Sequence, residues 1–176
     1  MSGAALWQRA ASYAARAHAG HVRKDGVTPY VAHPFRVAMV VRDVFGCDDT
    51  TAIAAALLHD TIEDTGTDYD ELAELFGAHV ADCVAALSKD MRLPEPQREP
   101  AYDEGLRRAD WRAKLIKLAD VYDNLCDLSG DSKKVLDKCR RAVEIAKPAA
   151  TEHPAVAKGV DAVERLVAEK GEPRRH

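Results

Sequence analysis

Apolar residues recur at helical spacing along almost the whole chain, and the apolar/polar alternation of a half-buried strand is rare. Leu6, Ala10, Tyr13, Ala14 and Ala17 predict a first helix over about 4–18, with Gly20 placed as a C-terminal glycine. An irregular stretch, His21 to His33, follows, with turn signals at Asp25-Gly26 and Thr28-Pro29. Pro34 opens a second helix at its first position, where its missing N–H costs nothing. Val37, Val40, Val41 and Val44 form that helix's apolar face, and Gly46 closes it. Asp48 or Asp49 caps a third helix. Its run from Ala52 to Leu58 is apolar on every face, which predicts a central, buried element. Thr67 begins a fourth, with Glu71 at capping-box spacing, Leu72, Leu75 and Phe76 as its stripe, and Gly77 as its stop. A fifth, over 80–89, turns Val80, Cys83, Val84 and Leu87 inward. Residues 92–102 hold three prolines and many charges, and read as an exposed loop and the one plausible internal boundary. A sixth helical region over 103–128, broken near Asp110-Trp111, precedes two more over 131–146 and 154–169. The prediction is an all-α, single-domain bundle of about eight helices with few or no strands, spanning 1–170, with a frayed tail over 171–176.

The length of 176 residues agrees with one domain. Apolar residues are 47% and charged residues 31%, as in soluble globular proteins. The net charge of −4 argues against a generic nucleic-acid binder, yet leaves room for a local basic pocket that takes an anionic small molecule. No stretch approaches 18 uncharged apolar residues, so no membrane partner is expected. Cys47, Cys83, Cys126 and Cys139 form no C-x-x-C pair and have no zinc-finger spacing, which predicts reduced thiols in a reducing, cytoplasmic compartment. Residues 1–22 lack acids and carry Arg9 and Arg16, a composition like that of a transit peptide, but their helical spacing favours a packed first helix. The pattern leaves the oligomeric state open.

Candidate chemistry lies where the apolar third helix ends, in His59-Asp60-Thr61-Ile62-Glu63-Asp64-Thr65. Burying such groups unpaired would cost about 1–3 kcal/mol each or more, so they must be paired, hydrated or metal-bound. Glu63 is i+4 from His59 and Asp64 is i+4 from Asp60. A continuous helix would present an imidazole and three carboxylates within about one turn. A second run, Lys114 to Leu125, sets Asp120 and Asn124 on one helical face with Lys117 one turn earlier. A third signal is His33, before Pro34 and after Arg23-Lys24. Together these give two imidazoles and two carboxylates. Mixed nitrogen and oxygen ligation suits manganese, iron, cobalt, nickel or zinc with positions open for water. That is hydrolase chemistry, most naturally on phosphate esters or anhydrides.

The order His33, His59-Asp60, Asp120 is similar to that of the HD-domain metal-dependent phosphohydrolases. Longer stretches resemble one subgroup, the hydrolase domain of the Rel/Spo alarmone enzymes and the stand-alone small alarmone hydrolases. These are Arg23-Lys24-Asp25-Gly26, Thr28-Pro29-Tyr30, His33-Pro34, Ala55 to Thr65, Phe76-Gly77, and Lys117-Leu118-Ala119-Asp120 with Asn124-Leu125. The resemblance runs from the first helix to about residue 147. It implies an HD-type fold and hydrolysis of the 3′-diphosphate of guanosine tetra- and pentaphosphate, releasing pyrophosphate with GDP or GTP. By the same resemblance, His33, His59, Asp60 and Asp120 hold Mn²⁺ or another divalent transition metal. Glu63 and Asp64 orient or deprotonate the attacking water. Arg23, Lys24, Asn124 and Tyr30 meet the nucleotide. Val121 and Cys126 depart from the family's basic residues at those places, which puts the identity of the nucleotide in doubt. Two alternatives follow: an HD phosphohydrolase for another nucleotide or a phosphorylated dinucleotide cofactor, and a non-catalytic nucleotide-binding module. Trp7 and Trp111 are read as core or interface aromatics. His18, His21, His79, His153 and His176 are read as surface or capping residues, and Lys133-Lys134 and Arg140-Arg141 as solvated helix faces.

Overall fold

Segments rich in alanine and leucine, separated by glycines and acidic caps, form ten α-helices among the described residues, 3–127 and 133–171, of a computed structural model. They are α1 (Gly3–Ala17), α2 (Ala32–Met39), α3 (Thr50–Leu58), α4 (Thr61–Asp64), α5 (Tyr69–Phe76), α6 (Ala78–Leu87), α7 (Glu95–Arg108), α8 (Trp111–Cys126), α9 (Lys133–Ala146) and α10 (Pro154–Gly171). A π-helical turn, Val40–Val44, extends α2, and a 3₁₀ turn, Lys147–Thr151, joins α9 to α10. The β-pairing among the described residues is a single antiparallel bridge between Val22 and Pro29. The all-α prediction holds. The helix count rises because the sixth region divides into α7 and α8 at Ala109-Asp110, and because α4 forms beyond the end of α3.

The centre is α3. Ala52 and every residue from Ala54 to Leu58 are buried, and α1, α2, α6 and α8 pack around it. Its alanines let four neighbours approach closely. On the far side of α8 lie α9 and α10. There Gly159 of α10 allows close packing, since a Cβ would sit 3.1 Å from Leu118 Cδ1 and 3.1 Å from Phe45 Cε2, tighter than ordinary contact.

Several expectations are corrected. Pro34 is the third residue of α2, because Ala32 starts the helix; a proline anywhere in the first turn leaves no intrahelical bond unmade. Val44 is exposed, unlike buried Val40 and Val41, because the π-turn holds one extra residue and rotates the face. Asp68, not Thr67, caps α5 and accepts from the Glu71 N–H at 2.9 Å; Asp68 has the i+3 spacing that Thr67 lacks. Gly77 stops that helix as expected, at φ 91°.

The loop expected over 92–102 is mostly α7. Pro94 precedes the helix and Pro96 lies in its first turn, so neither breaks it. Pro100 is interior and removes one backbone bond, at a cost of about 3 kcal/mol. Buried Tyr102 and Leu106 anchor the helix against that loss, and α7 packs on α6, α8 and α9 rather than marking a boundary. His18, expected at the surface, is 3% exposed. Trp111 stacks on His153 at 4.6 Å, while Trp7 is 42% exposed. The four cysteines are free, with only Cys126 exposed. No helix of the described residues is long and apolar enough to cross a membrane. Leu128, Asp131 and the tail after Gly171 lie outside the described residues.

The start of α3 is tied to the start of α8. The Asp49 carboxylate accepts from the Ala52 N–H at 2.8 Å, and Arg112 Nε and Nη2 donate to it at 2.9 and 2.8 Å. The Arg112 guanidinium, followed by the backbone N–H groups, holds the Asp49 pKa below its ordinary value despite partial burial. Asp49→Ala should therefore lower the unfolding free energy by about 1–2 kcal/mol in urea. Because the folded-state pKa is depressed, this contribution is complete above the unfolded value of about 3.9 and is lost as pH falls through the folded one. Wild type and variant should converge in acid; a difference that persists there would refute the assignment.

Candidate active site

Three helices bring the predicted ligands together. The apolar α3 ends at His59, which is 2% exposed, and Asp60 then turns at φ −98° before α4 begins. The i+4 relation of Asp60 and Asp64 lies within α4, whose first hydrogen bond runs from the Asp64 N–H to the Asp60 carbonyl at 2.9 Å. His33, 1% exposed, comes from the first turn of α2, and Asp120 from the middle of α8. One donor atom each from His33, His59 and Asp60 lie within 4.8 Å of one another. Asp120 adjoins them, with Oδ1 3.2 Å from His33 Nε2.

Each imidazole is anchored through one nitrogen and faces carboxylates with the other. His59 Nδ1–H donates to the Ala56 carbonyl at 2.8 Å, and His33 Nδ1–H donates to the Asp123 carboxylate at 2.7 Å. In the neutral ring, each Nε2 therefore turns a lone pair toward the carboxylates. His59 Nε2 is buried without a hydrogen bond, although Asp60 Oδ1 is only 3.1 Å away. Two electron-rich groups aimed at one point in this way fit a shared cation, and the tethering of Nδ1 is the usual arrangement behind a metal-ligating histidine. The electrostatics agree. Burial opposes charge on His59 most strongly, yet Asp60 and Asp120 outweigh it and raise its pKa to about 9. Burial likewise opposes charge on His33, and Asp120 and Asp123 again raise its pKa. Burial also acts against ionised Asp60, but His59 and His33 bring it down to about 2. The carboxylates thus demand positive charge at the Nε2 positions, which a proton or a divalent ion can supply.

Of the other predicted residues, Asp64 is exposed and accepts from the Tyr30 hydroxyl at 2.9 Å; the same hydroxyl donates to Asp60 at 2.7 Å. Tyr30 thus bridges the two carboxylates and does not line the neighbouring cavity. Glu63 is half-buried, and its carboxylate accepts the Lys89 N–H at 2.9 Å. Asn124 donates to Asp120 at 2.6 Å and accepts from Arg23 at 3.1 Å. Arg23, Lys24 and Asn124 line a cavity of about 710 Å³ that reaches Asp120. The turn that carries Arg23 and Lys24 is closed by Asp25, which accepts from the Val27 and Thr28 N–H groups, both at 2.9 Å, and from the Thr28 hydroxyl. Val121 lines the cavity as well, whereas Cys126 is exposed and outside its lining.

The sequence reading missed Asp123 and Arg36. Arg36 donates to Asp123 through Nε at 2.6 Å and through Nη2 at 2.9 Å, which fixes the carboxylate that orients His33. The signal was available: Asp120, Asp123, Asn124 and Asp127 recur at i, i+3, i+4 and i+7, an acidic and amide stripe along a helix otherwise largely buried.

The chain is similar to known proteins over most of its length. The family model described as HD domain matches residues 10–147. The chain is 42% identical over 128 residues to guanosine-3′,5′-bis(diphosphate) 3′-pyrophosphohydrolase MESH1 of Xenopus tropicalis, covering 72% of each chain. It is 43% identical over 129 residues to the protein of the same name from Homo sapiens, covering 73% of this chain and 72% of the other. Among solved structures, one described as a metazoan ortholog of SpoT that hydrolyzes ppGpp and plays a role in starvation responses superposes with a TM-score of 0.81. It is 28% identical, over 95% of this chain and 96% of the other.

Asp60→Ala should abolish retention of a divalent metal by the purified protein, read by elemental analysis. Asp123→Ala should weaken metal affinity by about 10–100-fold while the helical circular dichroism is kept. Unchanged affinity in Asp123→Ala would show that the His33–Asp123 bond does not prepare a ligand.

Proposed function

This chain belongs to the HD-domain family, and from that membership we propose that it hydrolyses the 3′-diphosphate of guanosine tetra- and pentaphosphate, releasing pyrophosphate and GDP or GTP. The observation that carries the reading is the buried pair His33 and His59, whose Nε2 atoms face Asp60 and Asp120 at the edge of a cavity whose lining includes Arg23, Lys24, Arg36 and Lys117. An acidic, nitrogen-bearing centre beside cations suits a metal-assisted attack on an anionic phosphate ester.

His33, His59, Asp60 and Asp120 would hold the ion, Mn²⁺ in this proposal. The ion would supply Lewis acidity toward a water molecule and a phosphoryl oxygen. Glu63, beside Lys89 at the end of the same helical run, would take the water's proton. Asp64, held by Tyr30, would orient that water. The water oxygen bonds to the phosphorus next to the ribose, the bond from that phosphorus to O3′ breaks, and the 3′-oxygen takes up a proton. Arg23 would stack on or bond to the nucleoside, where its planar guanidinium is better suited than an ammonium. Lys24 and Asn124 would meet the phosphates and ribose. The free cysteines suit a reducing, cytoplasmic compartment.

A second reading rests on Val121, an apolar residue in a cavity that takes a polyanion. It would permit a nucleotide other than the guanosine alarmones. Purified protein with added Mn²⁺ should release pyrophosphate from guanosine tetraphosphate, and EDTA should stop the release. Activity only on other members of an equimolar nucleotide panel would transfer the function to the second reading. Glu63→Gln should keep its metal and lose about 10²–10⁴-fold in kcat. Loss of the metal instead would move Glu63 into the ligand set.

A further inference from the structure

One face of α9 carries a cation that, among the described residues, no ion pair neutralises. Lys134, Lys138 and Arg141 lie at i, i+4 and i+7, so they line up along the helix, and neighbouring like charges at this spacing repel. Lys138 lines the cavity that reaches Asp120, and also a second hollow of about 550 Å³ between α7 and α9. Around it, Lys89, Lys117 and Arg141 are paired. Lys117 Nζ is 2.8 Å from Asp120, Lys89 Nζ is 2.7 Å from Glu99, and Arg141 is 3.4 Å from Glu99 and 3.6 Å from Asp103. Among the described residues, no hydrogen bond or ion pair holds the Lys138 ammonium. It is half-buried, and burial, followed by Lys89, Lys117 and Lys134, lowers its pKa despite the attraction of Glu99. A solvated helix face would leave such a side chain in water. Here it is drawn into a cavity against like charges, an arrangement that costs free energy until an anion arrives.

We propose that Lys138 is a phosphate-binding residue of this site, whose ammonium contacts the diphosphate group that leaves. The placement supports this, because Lys138 lines the same cavity as Asp120 and its partner Lys117, while Arg23 and Lys24 line that cavity from the loop before α2. Lys138 also supplies positive charge to a cavity in which Val121 brings none. The inference rests on the proposed diphosphate hydrolysis, and its test separates the two.

The test compares wild type with Lys138→Met, which keeps the stem, and Lys138→Arg, which keeps the charge. Binding of inorganic pyrophosphate is measured by equilibrium dialysis at fixed Mn²⁺, and kcat and KM are measured on guanosine tetraphosphate. Lys138→Met should weaken pyrophosphate binding and raise KM by about tenfold each, with kcat changed by less than about threefold. Lys138→Arg should restore both to within about threefold. If wild type binds pyrophosphate but hydrolyses no guanosine tetraphosphate, the proposed function fails, and Lys138 is judged on the dialysis alone. If folded Lys138→Met binds pyrophosphate as tightly as wild type, or if wild type binds none, the assignment of Lys138 is overturned.

Discussion

Two imidazoles buried where three helices meet set the terms for the rest of this structure. His33 and His59 sit at the junction of α2, α3 and α8, nearly without solvent contact. A neutral histidine can be buried if both ring nitrogens are accounted for. Here one nitrogen of each is tethered, to Asp123 and to the Ala56 carbonyl, and the other is left facing carboxylates. The apolar surface of α3, buried on all sides, holds that junction in register. The centre is therefore built on helix termini and first turns anchored in the core, not on loops.

Charge is arranged in layers outward from the junction. Asp60 and Asp120 are innermost; Lys117, Asn124 and Tyr30 bind their outer oxygens; Arg36 and Arg23 then hold Asp123 and Asp127. Alternating signs allow several ionised groups to share a small volume, since each is compensated before it is buried. A chain with a net charge of −4 can in this way present a cationic wall to an anionic ligand.

The helices most legible in the sequence were those whose periodicity agreed with their ends. The apolar run of α3, the inward face of α6 and the break at Asp110 all follow from local pattern. Proline count misled over 92–102, because position within the first turn decides whether a proline harms a helix, and because the burial of Tyr102 and Leu106 is a tertiary effect. The π-turn after α2 was equally hidden, since its cause lies in packing. At the site, His33, His59, Asp60 and Asp120, marked by chemical identity and tight spacing, converge. The hold of Asp123 and Arg36 on His33 was hidden, because it depends on which helix lies opposite. The burial of His18 belongs to the same class, for its spacing in α1 does not reveal that the segment after it folds back to set Tyr30 against its ring at 4.8 Å.

The closed turn at Asp25 bears on how a nucleotide is admitted. With its backbone held by one carboxylate and by the pairing of Arg23 with Thr28 and of His21 with Tyr30, the segment is ordered when the protein folds. Little chain entropy is then left to lose on contact with a ligand. A turn closed in this way holds the Arg23 and Lys24 backbone in one arrangement at the mouth of the cavity.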